Sequence, residues 1–177
     1  MAGKTCAVVV IILAFLEIGL RWLARATIEL GSTVHLFGNV YLANIKNTRE
    51  YMLFGWSSLS WLLIGAVLVL LFLAYFALAY RAIPALRGGV KLVVGSAACY
   101  VLLAVAFINI CELLLQGGVT DYLAFVDLKL GKARIINLGD VAVTVSAALI
   151  FFSMLGVVVG AIWHLVSLGT RAPVAGE

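Results

Sequence analysis

Charge is what this chain has least of. Only 11% of its 177 residues are Asp, Glu, Lys or Arg, against 65% hydrophobic residues, and its mean hydropathy is +1.19. A soluble domain carries about a quarter charged residues, so there is too little polar surface here to coat a water-soluble particle. The same hydrophobicity excludes disorder, and the glycines do not recur every third residue as collagen requires. Cysteine is scarce too. Cys6, Cys99 and Cys111 sit in apolar runs with no CxxC pair, which argues against a disulfide framework or a zinc site. His35 and His164 have no ligand partner at helical spacing, so neither metal nor cofactor is expected. The net charge of +4 comes from scattered basic residues, a pattern of membrane topology and headgroup contact rather than nucleic-acid binding.

What the chain has is long apolar runs. A spanning helix needs about 20 apolar residues, because the hydrocarbon core is roughly 30 Å thick. Four runs qualify, at 5–24, 57–80, 92–115 and 141–168, and residues 1–177 read as one integral membrane domain. The connection 81–91 is short and basic around Pro84; segments 25–56 and 116–140 are long and mixed in charge. Residues 33–45 alternate enough to predict short strands. An even number of spans puts both termini on one side and both long segments on the other. Basic residues do not settle which: Lys4, Arg81, Arg87, Lys91 and Arg171 oppose Arg25, Lys46, Arg49, Lys129, Lys132 and Arg134. Their density in the short 81–91 loop favours the cytoplasm for that side. The first run resembles a signal peptide with Ala24-Arg25-Ala26 as a cleavage site, but Glu17 and Arg21 within it favour a retained helix. Gly156 and Gly160 form a small-xxx-small pair that predicts close approach of the last helix to a neighbour.

Ionisable residues inside a membrane are costly and face a bundle interior. Glu17 and Arg21 are spaced i, i+4 and can neutralise each other. Asn109 and Glu112 lie one turn apart in the third run, after which Gly117 and Gly118 release the chain toward Asp121. Asn137 and Asp140 then open the fourth run. Singly, Asp121 reads as an interfacial carboxylate and Asp140 as a helix cap. Together they suggest chemistry. Two carboxylates at one membrane–water boundary can share a proton, one acting as acid while the other activates water.

At this point the residues resemble a known family, lipoprotein signal peptidase, the type II signal peptidase of bacteria. One motif of that family has the form Asn-x-x-Asp-Arg-x-x-x-Gly-x-Val-Val-Asp-Phe. Here it reads Asn109-Ile-Cys-Glu112-Leu113-Leu-Leu-Gln-Gly117-Gly118-Val119-Thr120-Asp121-Tyr122, in register without a gap. A second, Asn-x-Ala-Asp, is matched by Asn137-Leu138-Gly139-Asp140. Upstream, the family's Asp and Lys four apart are resembled by Glu17 and Arg21, and its Asn-x-Gly by Asn47-Thr48-Arg49. The departures are Glu112 for Asp, Leu113 for Arg, Gly139 for Ala and Arg49 for Gly, and Arg21 or Arg49 could replace the lost charge.

The resemblance implies an all-α transmembrane fold: a four-helix bundle with a small extracytoplasmic β-cradle and an interfacial helix over 47–56, whose Tyr51, Phe54 and Trp56 suit the headgroup boundary. It implies an aspartic endopeptidase that removes signal peptides from diacylglyceryl-modified prolipoproteins, cutting before the lipidated cysteine. Asp121 and Asp140 would be catalytic. Asn47, Asn109, Asn137, Glu112, Gly118 and Arg49 would bind or orient the substrate. Such a protein works in the bacterial inner membrane among lipids, with cytoplasmic termini, an active site near the outer face, and monomer as the default state. Two other classes stay open: an inactive relative serving in binding or assembly, and a small transporter component with Glu17, Arg21, Glu112 and Asp140 lining a polar path.

Overall fold

A computed structural model of the chain describes residues 2–48, 58–83, 89–127 and 132–169. Its elements run α1 (Ala2–Thr27), β1 (Thr33–Phe37), β2 (Val40–Asn47), α2 (Ser58–Ala82), α3 (Val90–Gln116), β3 (Val119–Asp127), β4 (Lys132–Ile136) and α4 (Leu138–Gly169). The expected four-helix membrane bundle with a small sheet is what the chain forms. In lipid a backbone N–H or C=O has no water partner, so each apolar run closes its own hydrogen bonds as a helix. Even α2, the shortest at 25 residues, exceeds the roughly 20 that a bilayer crossing needs. Large side chains such as Phe15, Phe107 and Trp163 are exposed, as lipid contact allows.

The centre of the bundle is α3, which packs against each of the other three helices. Against α2 the approach is close: a Cβ added at Gly95 would lie 2.4 Å from the Phe76 ring, so only glycine lets that ring lie flush on α3. Against α4, the stem of Lys91 occupies the space a Cβ on Gly156 would need, and its ammonium donates to the Gly156 carbonyl at 3.3 Å. The expected close approach at Gly156 is therefore made to a lysine stem. Between α1 and α4 an apolar groove of about 460 Å³ runs over α3, lined among others by Leu13, Val101, Val105 and Val145, with Glu17 and Gly139 also on its wall.

The short strands expected over 33–45 form as β1 and β2. Segment 116–140 supplies β3 and β4 as well, and all four form one antiparallel sheet in the order β1-β2-β3-β4. Residues Val119–Asp127 bury Thr120, Asp121, Tyr122 and Ala124. Such mixed burial hides the alternation a strand shows when only one face is covered. Gly117 ends α3 in the left-handed conformation at φ 66°, its N–H donating to the Leu113 carbonyl, and so turns the chain straight into β3. On the other flank, Asn44 sits in the irregularity between Leu42 and Ile45 and donates to the Ile28 carbonyl at 2.8 Å. That bond ties the sheet to the end of α1. Most of the expected interfacial helix, with Arg49, Tyr51, Phe54 and Trp56, lies outside the described residues; Asn47 closes β2.

Candidate functional site

Two polar clusters stand side by side where the sheet meets the helices. The first is a buried ion network. Arg21 donates to Glu17 through Nε at 2.8 Å, pairs with Glu112 through Nη1, and donates through Nη2 to Asn109 Oδ1 at 2.7 Å. Arg25 adds a second guanidinium to Glu112 at 2.8 Å, and the Thr120 hydroxyl donates to the same carboxylate at 2.6 Å. Two acids and two arginines therefore balance one another. Arg21 and Glu17 are each only 2% exposed, which is tolerable because opposite charges are paired and hydrogen-bonded inside the cluster. Among the described residues, no buried side-chain nitrogen or oxygen lacks a partner.

The second cluster holds the two aspartates. Asp121, on β3, accepts from Asn137 Nδ2 at 2.7 Å on one oxygen and from Asn47 Nδ2 at 3.0 Å on the other. Asn137 is at the same time the N-cap of α4. Its Oδ1 accepts the Asp140 N–H at 3.0 Å, while the Asp140 carboxylate accepts the Asn137 N–H at 3.0 Å. This reciprocal arrangement is a capping box, with an aspartate in the return position. The cap reading of Asp140 is thus correct as geometry, and the same cap brings Asp140 toward Asp121. One asparagine side chain touches both.

The surroundings of the two acids differ in burial. Burial pushes the Asp121 carboxyl above its ordinary range; the Asn137 and Asn47 donations oppose this, and the negative charge of Asp140 adds to it. Asp140 is exposed, whereas Asp121 is buried. Beside Asp121 a cleft of about 380 Å³ opens between the end of β2 and β4, lined by Asn47, Thr48, Ala133 and Ile135. Among the described residues, no group of three His, Cys, Asp or Glu side chains could hold a metal ion.

Of the residues singled out from sequence, Asn47, Asp121, Asn137 and Asp140 come together. Asn109 and Glu112 do not join them; they belong to the Arg21 network next door, in touch with the site through Thr120, the neighbour of Asp121. Gly118 lies beneath the side chains of Lys46 and Thr48. Arg49 lies outside the described residues. Three partners escaped sequence reasoning: Arg25, Thr120 and Tyr122. Thr120 and Tyr122 flank Asp121, so their adjacency was the available signal, while no spacing points from Arg25 to Glu112. Glu17, Arg21 and Glu112, which the transporter reading set along a polar path, close on one another.

Comparison with known proteins agrees with this layout. Two solved structures described as a bacterial membrane enzyme, determined by the in meso method at 2.3 and 1.9 Å resolution, superpose on the chain with TM-scores of 0.63 at 17% identity. Each covers 86% of this chain, and the chain covers 88% and 93% of theirs, so the likeness of fold extends over nearly the whole molecule. No curated protein sequence matches it. Residues 9–156 match the family described as Signal peptidase (SPase) II, a span that takes in both aspartates, their asparagine partners and the whole ion network. The chain is a multi-pass membrane protein belonging to the signal peptidase II family.

Proposed function

We propose that this protein is an active lipoprotein signal peptidase of the aspartic type, with Asp121 and Asp140 as its catalytic pair. The observation that carries the reading is the double use of Asn137, which holds Asp121 through its amide and Asp140 through the helix cap. A fixed pair of carboxylates in unequal surroundings suits a shared proton. In the proposed reaction the ionised partner takes a proton from a water molecule as that water attacks the scissile carbonyl carbon. The protonated partner supplies its proton toward the leaving amine, and the peptide C–N bond breaks. A buried carboxyl that holds its proton above the ordinary range favours this division of labour.

The substrate is a diacylglyceryl-modified prolipoprotein, cut before its lipidated cysteine. The cleft beside Asp121 receives the extended peptide, where Asn47 can reach its backbone. The apolar groove over α3 accepts the hydrophobic part of the substrate from the bilayer. The protein acts in the bacterial inner membrane as a monomer with cytoplasmic termini, and the sheet and active site lie at the outer face. Leu113, uncharged where the family motif has Arg, favours an inactive relative. Against that, Arg21 brings a guanidinium to Glu112 and Asn109 on the same helix, so the segment has not lost its charge partner.

The test is incubation of the purified protein, in lipid, with a diacylated prolipoprotein, followed by mass analysis of both products. A cut immediately before the lipidated cysteine is expected. An intact substrate, with the protein folded, would leave the inactive-relative reading.

A further inference from the structure

Next to Asp121, the Tyr122 ring is fully buried, and its hydroxyl makes two bonds that reach in opposite directions. It donates to Glu17 Oε2 on α1 at 2.6 Å and accepts the Leu138 N–H, the first free amide of α4, at 2.8 Å. A helix end has donors that no carbonyl of the helix can satisfy. Asn137 takes the third of these, at Asp140, and Tyr122 takes the first. The amino end of α4 is therefore held from two sides, and Asp140 sits on the turn between.

Gly139 completes the arrangement. A Cβ there would lie 2.7 Å from Asn137 Oδ1, 3.1 Å from Val105 Cγ1 and 3.3 Å from Glu17 Oε1. A Cβ would meet the Asn137 cap first, and the Val105 methyl and the Glu17 carboxylate crowd the same space. Three departures from the family pattern quoted above meet at this point: Glu17 for Asp, Tyr122 for Phe and Gly139 for Ala. The hydroxyl is what phenylalanine lacks. The longer acid reaches it, and glycine leaves room for that acid. The anionic end of the chain is fixed in turn by Arg21, which bonds Glu17 and anchors on α3.

We infer that Tyr122 is a positioning residue, its hydroxyl clamping the amino end of α4 to Glu17 of α1 and so setting Asp140 against Asp121. The inference rests on the aspartic pair proposed above. Asp121 and Tyr122 are consecutive on β3, so movement of α4 against the tyrosine is movement of one carboxylate against the other. The ring itself packs the core, and Tyr122→Phe keeps it; only the clamp is removed.

Two readouts on the full chain in lipid test this with Tyr122→Phe. Amide hydrogen exchange needs no turnover: exchange over residues 138–140 should speed up roughly tenfold in the variant, while the middle of α4 stays as in the parent. Cleavage kinetics should show kcat reduced roughly tenfold with KM within about twofold, and the limbs of the pH profile displaced, because the two carboxylates no longer hold their separation. Unchanged exchange at 138–140 would overturn the clamp. So would a loss of activity that falls on KM alone with the pH profile unmoved. A parent chain that cleaves nothing would remove the protease reading, and the exchange result would still decide whether the hydroxyl holds α4.

Discussion

Arg21 on α1 and Asn109 on α3 stand 88 positions apart in sequence and 2.7 Å apart in space, the guanidinium donating to the side-chain carbonyl. The same guanidinium bonds Glu17 and Glu112. The stretch of α3 where Leu113 stands in place of the family's Arg thus meets a guanidinium from another helix. Arginine suits this task because its planar fork can serve several acceptors at once, whereas lysine offers a single point charge. The consequence is mechanical as well as electrostatic: α1, α3 and β3 are joined through one side chain and the acids around it.

Removing that centre leaves Glu17 with the neutral Tyr122 hydroxyl and no cation bonded to it among the described residues, and Glu112 with Arg25 and Thr120. Arg21→Leu is expected to destabilise the protein by about 3–5 kcal/mol, the usual result of breaking a buried ion network from one side. Arg21→Lys should recover part of this, since charge returns without the fork. Thermal unfolding in detergent of the parent and both variants measures the order; a leucine variant as stable as the parent contradicts it.

Asn137 does two jobs that can be separated. Serine is a good N-cap but cannot reach Asp121, so Asn137→Ser should be more stable than Asn137→Ala by about 1 kcal/mol. Both should lose cleavage activity alike, roughly tenfold or more, because both lose the donation to Asp121. Melting curves and initial rates for the two variants check this. Near-parental activity in the serine variant would mean that the cap alone matters.

The raised carboxyl of Asp121 predicts a pH trend in stability. Its folded form holds the proton to higher pH than the unfolded chain, whose ordinary value is 3.8. Stability from the protonated acid is fully present below that value and is lost as pH rises through the folded one. Asp121→Asn cannot ionise and loses nothing over that window. The melting temperature of the variant minus that of the parent should therefore rise as pH climbs above the ordinary carboxylate range, then level off. A difference that is flat or falls with pH contradicts the cause assigned here.

Much of this was legible in the residues because it depends on local composition. The four spans follow from apolar runs of sufficient length, and Asn137 and Asp140 follow from the grammar of a helix start. The short strands of 33–45 showed in their alternation. β3 did not, because its central residues are buried on both sides and carry the polar groups of the site. Nor could spacing reveal that Glu112 turns to Arg21 and Arg25 rather than to Asp121. A period of three or four residues fixes the face of a helix but not which helix that face will meet. Gly139 read only as a departure from a pattern; its meaning depends on the Asn137 cap beside it and on Val105 and Glu17, distant in sequence, crowding the same space.

The central claim is that Asp121 and Asp140 act as one catalytic pair, and the most direct measurement is cleavage of a diacylated prolipoprotein by the parent, Asp121→Asn and Asp140→Asn. All three would be purified in lipid and shown to be folded. The account predicts cleavage by the parent and a loss of roughly a hundredfold or more in either variant. Cleavage that survives both substitutions would contradict it.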